Sequence, residues 1–356
     1  MNESLDSLSC PLPHPLPPRI TMAHGGGGRA MQELIRELFA ARLDNGSLQT
    51  GADAAVLPAH EGRLAFTTDS FVVRPLTFPG GSIGSLAVHG TVNDLAMVGS
   101  RPLYLSAGFI LEEGLSIETL DSIVCSMRRA ADAAGVSVVT GDTKVIERTT
   151  GEGLMVNTAG VGIMEHGHEL GPRMLREGDV VMVNGDIARH GMAIMAAREG
   201  LEFDPPIESD SASVAGAALA LLNAGIPVRC MRDCTRGGLA AALTEIASDS
   251  RLTIGIEERA LPVSEAVRGA CEILGMNPVH VACEGRFVSI VPEQYAAETL
   301  EILEKHASSG TGPVCIGQVT AGGQTIGGDA PVVVKSAIGV TRILDRPSGE
   351  QLPRIC

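Results

Sequence analysis

Short apolar runs alternate with helical stretches along the whole chain, and several runs end on an aspartate set among small residues. This alternation restricts the fold more than any other feature, because strands joined through helices demand a layered α/β or α+β architecture. Leu34, Ile35, Leu38, Phe39 and Leu43 mark one face of a first helix. Leu64 to Thr68 predicts a strand running into Asp69, and Leu86 to Val98 a helix carrying Asn93 and Asp94. Pro102 to Ile110 predicts a strand, and Leu120, Ile123, Val124 and Met127 a helix stopped by Gly135. Val136 to Thr140 predicts a strand opening into the loop Gly141-Asp142-Thr143-Lys144, and Met155 to Met164 another strand. The segment from His166 to Gly178, with its glycines and proline, predicts a domain boundary. The pattern then restarts with strand Asp179 to Asn184 and helices near Met192 to Glu199 and Ala212 to Asn223. Strand Val228 to Met231 leads into Asp233, and Thr235-Arg236-Gly237-Gly238 opens a helix with Leu239, Leu243 and Ile246. Phe287 to Val291 and Val314 to Val319 predict further strands.

A length of 356 residues suggests two domains, and 44% hydrophobic residues suffice for a core in each. Aromatics at 3%, with no Trp, argue against base-stacking platforms, and a net charge of -15 would repel a phosphate backbone, so nucleic acid is not expected as a partner. Nucleotide binding remains open, because a small site can bring its own metal ions. The sequence has no run of 18 apolar residues to span a membrane, and its acidic, then Pro-rich start lacks the pattern of a signal peptide. Eight Cys without short paired spacing do not form a disulfide framework, and the interval between Cys230 and Cys234 is not a zinc spacing. These features predict a reducing cytoplasm. The expected organisation is a disordered leader at 1–19, domains at 20–165 and 166–337, and a mobile tail at 338–356.

The chain ends in Pro353-Arg354-Ile355-Cys356. A thiol on a flexible arm can be loaded at one site and processed at another, and Arg354 would offset the α-carboxylate that disfavours a thiolate. Gly25 to Gly28 precede a helix; such a run either connects flexibly or covers a phosphate. Asp53, Asp69, Asp94, Asp142 and Asp233 each sit at a predicted strand end or loop beside small residues. A single such Asp caps a helix or forms a turn. Five of them predict a magnesium–nucleotide cleft, since hard cations want several converging carboxylates. Lys144 and Glu284 fit either a surface pair or a proton-transfer pair. His24, His89 and His280 show no metal spacing and read as structural.

Taken in order, several motifs form a distinctive set: Gly-Ala-Asp-Ala-Ala at 51–55, Thr-Thr-Asp-Ser-Phe at 67–71, Phe-Pro-Gly-Gly at 78–81 and Gly-Thr-Val-Asn-Asp-Leu-Ala at 90–96. Thr-Gly-Asp-Thr-Lys at 140–144, Thr-Arg-Gly-Gly-Leu-Ala at 235–240, Glu-Gly-Arg at 284–286 and the terminal Pro-Arg-Ile-Cys complete it. From about residue 20 to 356 the chain resembles the HypE family of nickel–iron hydrogenase maturation proteins, within the aminoimidazole-ribonucleotide-synthetase-like (PurM-like) ATP-binding superfamily. The resemblance implies an N-terminal mixed-sheet or half-barrel domain that binds ATP and dimerises, a C-terminal α/β domain, and the mobile tail.

It also implies a reaction. A carbamoyltransferase, HypF, loads a carbamoyl group onto Cys356, and the tail enters the ATP cleft. The carboxamide oxygen attacks the γ-phosphate. Loss of phosphate and of the amide protons leaves a thiocyanate, whose cyanide passes to iron on a HypC–HypD complex. Cys356, Lys144 and Glu284 match the family's catalytic residues, and Asp53, Asp69, Asp94 and Asp142 its magnesium ligands. Gly26, Gly27, Gly28, Asn93, Thr140, Asp233, Arg236 and Gly237 join those aspartates in the implied nucleotide site, near a homodimer interface. The chain departs from the family at three points. Gly26 or Gly27 stands where the family has Ser, Cys234 where it has Pro, and Cys283 where it has Asn. The first loosens the loop, and the last leaves open how Glu284 is oriented. Either extra thiol could form a disulfide with Cys356. Two rivals stand beside this reading: a related ATP-dependent kinase or synthetase acting on a small molecule, and a nucleotide-binding scaffold that presents its tail.

Overall fold

Strand pairing gathers the chain into two large sheets, one per half. The computed structural model describes residues 16–43, 46, 48, 53–148, 151, 153–307, 310–321 and 331–344. In the first half, β1 (Arg63–Phe71), a small hairpin of β2 (Thr77–Phe78) and β3 (Gly81–Ser82), and α3 (Ile83–Met97) follow two short helices, α1 (Arg29–Leu34) and α2 (Ala41–Leu43). Then come β4 (Arg101–Glu112), α4 (Ile117–Ala134), β5 (Ser137–Ile146) and β6 (Leu154–Met164). The sheet order is β1-β6-β4-β5, antiparallel except for the parallel β4–β5 pair. Both β1 and β5 are edge strands.

Among the described residues the helices cover only one face of this sheet. Phe71, Ala107, Phe109, Val138, Val145 and Val156 point into the core. Side chains alternate along a strand, so β1 turns Leu64 and Phe66 outward, where they are 69% and 71% exposed. α3 is buried nearly all round, as expected of a helix apolar on every side. It lies between the first sheet and the second half. Gly84 lets α4 approach closely: a Cβ there would stand 2.2 Å from the Ile123 carbonyl oxygen.

The second half contains β7 (Asp179–Val183), α5 (Arg189–Glu199), α6 (Ala215–Asn223), β8 (Cys230–Asp233), α7 (Gly238–Ser250) and β9 (Thr253–Glu257). It continues with α8 (Glu265–Leu274), β10 (Phe287–Pro292), α9 (Ala296–Lys305), β11 (Val314–Thr320), β12 (Val332–Lys335) and β13 (Thr341–Ile343). Its sheet runs β13-β12-β9-β11-β7-β10-β8. Val180 and Met182 of β7 join the core that holds α6, while Val181 and Val183 join the core that holds α7. A strand buried on both faces explains the unbroken apolar run in this segment.

Three expectations shift. The segment 141–144 is not a loop: β5 continues through it, with Asp142 opposite Gly108 and Lys144 opposite Ile110. Gly and Asp are poor strand formers, but pairing with β4 overrides that preference. Gly141 is needed there, since a Cβ would stand 2.3 Å from the Ala107 carbonyl oxygen. The tail cannot begin at 338, because β13 pairs with β12 and Leu344 is buried. At the other end, residues 16–19 do not run free. Arg19 bridges to Ser116, and the Pro18 carbonyl accepts from the Ile117 amide. The remainder of the predicted leader and tail, Cys356 included, lies outside the described residues. Gly84→Ala is expected to lower the unfolding midpoint in urea, costing about 1–3 kcal/mol by overpacking the α3–α4 contact; an unchanged midpoint would contradict the packing described.

Candidate active site

The alternation of β1 sends Thr67, Asp69 and Phe71 toward α3. There the Thr67 hydroxyl donates to Asp94 Oδ2 at 2.9 Å. Gly90, one turn before Asp94, makes room for the ring of Phe71, which a Cβ would approach to 2.8 Å. The second half supplies the opposite wall. β8 ends on Asp233, Thr235 and Arg236 precede α7, and Glu284 precedes β10. Asp69, Asp94, Asp233, Arg236 and Glu284 thus line one polar pocket between the halves.

Negative charge is crowded in this pocket. Burial, with the charge of Asp94, pushes the Asp233 carboxyl up to about 7 from its ordinary 3.8. Burial also raises Asp94, reinforced by Asp69 and opposed by the Thr67 hydrogen bond and by Arg236 and Arg232. Arg236 stands 3.9 Å from Asp69 and is largely exposed, so it offsets little of this. A divalent cation, or a ligand carrying one, would relieve the repulsion.

Lys144, Asp142 and the glycine run gather elsewhere. Asp142 and Lys144 are exposed on β5, on the face away from Thr143 and Val145, which are buried. Gly25 sits against β5, where a Cβ would come within 2.8 Å of the Val145 side chain. Gly27 has φ +72, and Gly28 leads into α1. Across the sheet, Ser70, Asn157, Gly108 and Asp142 form one row. Three strand spacings therefore separate Asp142 from the Asp69 edge, about 14 Å at the usual interstrand distance. Within one chain the carboxylates predicted to act together occupy two opposite edges. Among the described residues, no group of three or more His, Cys, Asp or Glu is placed to hold a metal ion.

The remaining predicted residues divide. Asp53 is exposed in a bend, outside this pocket. Thr140 and Asp142 border a mainly apolar pocket beneath Phe39 and Phe109. Gly237, at φ +76, caps α7. Asn93 is buried, and both ends of its amide are engaged: Nδ2 donates to the carbonyls of Ala212 and Glu284, and Oδ1 accepts from the Val214 amide. His24 and His89 bond Thr21 and Ser211, while His280 Nδ1 is buried without a partner. Cys234 and Cys283 are both fully buried, and their backbones are joined by the Cys283 amide donating to the Cys234 carbonyl. Burial pushes both thiols well above their ordinary range, so neither is presented as a partner for a disulfide with a tail thiol.

Sequence reasoning missed Asp186 and Asp210 and gave no role to Arg286, although it stands in the Glu-Gly-Arg motif; together they form a buried cluster behind Glu284. Arg286 Nη2 donates to Asp186 Oδ1 at 2.8 Å, and its Nε lies 3.9 Å from Asp210 Oδ2. The available signal was Arg286 itself, a charged residue heading the apolar run of β10.

Residues 51–164 match the family described as AIR synthase related protein, N-terminal domain, and residues 176–329 match its C-terminal domain. The carbamoyl dehydratase HypE of Azotobacter vinelandii is 48% identical over 337 residues, covering 95% of this chain and 97% of that protein. A crystal structure of hydrogenase maturation protein HypE in complex with ATP superposes with TM-score 0.89 at 43% identity, covering 94% of this chain and 99% of that one. A chain of a crystal structure of a HypE–HypF complex gives TM-score 0.75 at 44% identity, covering 88% of this chain and 99% of that one.

The raised Asp233 carboxyl has a measurable consequence. The folded protein keeps that proton up to about pH 7, whereas the unfolded chain releases it near its ordinary 3.8. The folded state holds the extra proton between those values, so this contribution is present below the unfolded value and lost as pH rises. At most about 4 kcal/mol is involved, taking 1.36 kcal/mol per pKa unit. Without nucleotide or metal, the slope of stability against pH from 5 to 8 is expected to be shallower in Asp233→Asn. Identical slopes would show that Asp233 titrates normally.

Proposed function

The chain belongs to the AIR synthase related family and, within it, to the HypE carbamoyl dehydratases, and from that membership we propose that its two separated edges form one dehydration site across a homodimer. It is an enzyme of hydrogenase maturation. It converts a carbamoyl group on the thiol of Cys356 to a thiocyanate at the expense of ATP, releasing ADP and phosphate. HypF is the partner that loads the thiol, as the relative's complex with HypF supports. The product cyanide is handed on to a HypC–HypD complex, in the cytoplasm. Among the described residues no helix is long and apolar enough to cross a membrane.

One observation carries the shared-site reading: Glu284, Asp69, Asp94 and Asp233 line a pocket on one edge, while Lys144, Asp142 and the glycine run lie on the other. Two open sheet edges, with Leu64, Phe66 and Ile110 exposed on the uncovered face, suit face-to-face pairing of two such sheets. That pairing would set the β1 edge of one protomer beside the β5 edge of its partner. ATP then lies where the glycine run covers its phosphates and the carboxylate pocket faces them. Magnesium fits this pocket, because its oxygen donors are crowded and electrostatically unsatisfied. Asp69 and Asp94 would hold it, with Asp142 supplied by the partner protomer. Bound there, the ion would neutralise charge developing on the transferred phosphoryl group.

The protein's own groups divide the remaining work. Lys144 offers a cation to the carboxamide oxygen as it gains negative charge. Glu284 takes the two nitrogen protons in turn, the first as the oxygen is phosphorylated and the second, once the first has passed to solvent, as the C–O bond breaks, the oxygen leaves on phosphate and the C≡N bond forms. The buried setting keeps water from competing for the activated carbon. A small-molecule kinase or synthetase would make no use of Cys356.

Lys144→Ala and Glu284→Gln are each expected to bind ATP normally yet lose water from the carbamoyl-loaded thiol at least about a hundredfold more slowly, a residual rate read by intact mass over long incubation. Equimolar subunit exchange between the two should restore activity to about a quarter of wild type, since half the dimers are mixed and each mixed dimer keeps one intact site. Normal water loss in either variant sinks its role, and no recovery in verified mixed dimers sinks the shared site.

A further inference from the structure

Glu284 is held by its backbone, from two sides. On one side Asn93, from α3 of the first domain, donates through Nδ2 to the Glu284 carbonyl at 3.3 Å. On the other, Asp210 spreads one carboxylate over two consecutive amides: Oδ1 accepts from Glu284 N and Oδ2 from Gly285 N, each at 3.4 Å. Asp210 Oδ1 also accepts from the His190 amide at 2.9 Å. Gly285 permits this seating, because a Cβ there would stand 1.9 Å from the Asp210 carbonyl oxygen.

Asp210 belongs to a coil between α5 and α6 that is anchored at every step. The Ser209 amide donates to the Pro79 carbonyl at 2.8 Å, and Ser209 Oγ pairs with His190 Nδ1 at 2.8 Å. Ser211 Oγ pairs with His89 Nδ1 on α3 at 3.0 Å. Asn93 Nδ2 also holds the Ala212 carbonyl, at 3.0 Å. The coil is therefore tied to the hairpin and α3 of the first domain as well as to α5 of the second. Arg286 balances the buried charge by lying between Asp186 and Asp210.

We propose that Asn93 and Asp210 are the positioning residues of Glu284, fixing the base relative to the carboxylates of the first domain. The proposal rests on the assignment of Glu284 as the base. It gives Asn93 a role other than nucleotide contact, because its amide is already engaged on both ends. It also explains how this chain dispenses with an amide side chain at position 283. The Glu284 peptide is gripped from α3 and from the 209–212 coil, while Cys283 faces inward and accepts a hydrogen bond from the Ala188 amide at 3.2 Å.

The test is a double-mutant cycle on full-length carbamoyl-loaded protein with ATP and magnesium, read by mass as single-turnover water loss. Asp210→Asn keeps the shape but turns a donor toward the backbone amides. It is expected to slow water loss at least roughly tenfold while the KM for ATP stays within about twofold, and to add less than about twofold in a Glu284→Gln background, as groups acting through one another do. Asn93→Ala, which leaves the Asp210–Arg286 pairing intact, should show the same pattern and serves if Asp210→Asn fails to fold. Equal slowing in the wild-type and Glu284→Gln backgrounds, or an effect confined to the KM for ATP, overturns the proposal. Wild-type rates in both Asp210→Asn and Asn93→Ala, with Glu284→Gln strongly slowed, overturn the positioning role alone. Wild-type rates in Glu284→Gln remove the base assignment and the positioning role with it.

Discussion

The buried ion cluster of Asp186, Asp210, Arg286 and Arg189 is the constraint on which the site depends. Arg286 and Asp186 are 2% and 1% exposed, and Arg189 pairs with Asp186 at 3.0 Å. Two acids and two bases leave the cluster neutral. Removing one member of such a set typically costs about 3–5 kcal/mol, because a buried charge is left uncompensated. The surrounding chain is shaped to admit it. Gly185 would bring a Cβ to 2.8 Å from Arg286 Nε, and Gly310 one to 2.4 Å from Asp186 Oδ1. From this anchor the Glu284 peptide, the 209–212 coil and α3 take their places, so the carboxylate pocket is set by an interaction well behind it.

The pocket itself is electrostatically unfinished. Asp69, Asp94 and Asp233 face one another with Arg236 as the nearby lining cation, and two of the three carboxyls are raised. Lys144 stands on the far edge of the same sheet. The chain thus presents a carboxylate pocket on one edge and Lys144, Asp142 and the glycine run on the other, and the two do not meet within it. In the proposed homodimer, association through the uncovered sheet face would join them and cover exposed leucine and phenylalanine at the same time. Oligomerisation and catalysis would then share one surface.

Much of this was legible in the sequence. The alternation of runs located most of the strands and helices, because buried strands and amphipathic helices leave periodic signals. The small-residue context singled out Asp69, Asp94 and Asp233, and Glu284 stood out at the head of an apolar strand. What stayed hidden was nonlocal. Asp142 and Lys144 read as loop because Gly141-Asp142 is a turn signature, and only pairing with β4 makes it strand. The resemblance placed Asn93 in the nucleotide site, and nothing local signalled that its amide reaches 191 positions along the chain to the Glu284 carbonyl. Asp210 lies between serines in an unremarkable coil, with no spacing that connects it to Glu284. Asp53 followed the same local pattern as the other aspartates, and the fold leaves it exposed in a bend.

In the proposed reaction this chain removes water from a carbamoyl group carried on Cys356. The most direct measurement is the intact and peptide mass after incubation with HypF, carbamoyl phosphate and ATP–magnesium. The account predicts a carbamoyl adduct on Cys356 that loses one water only when ATP is present, and no adduct on Cys356→Ala. An adduct that persists unchanged with ATP, or turnover of a free small molecule by Cys356→Ala, would contradict it.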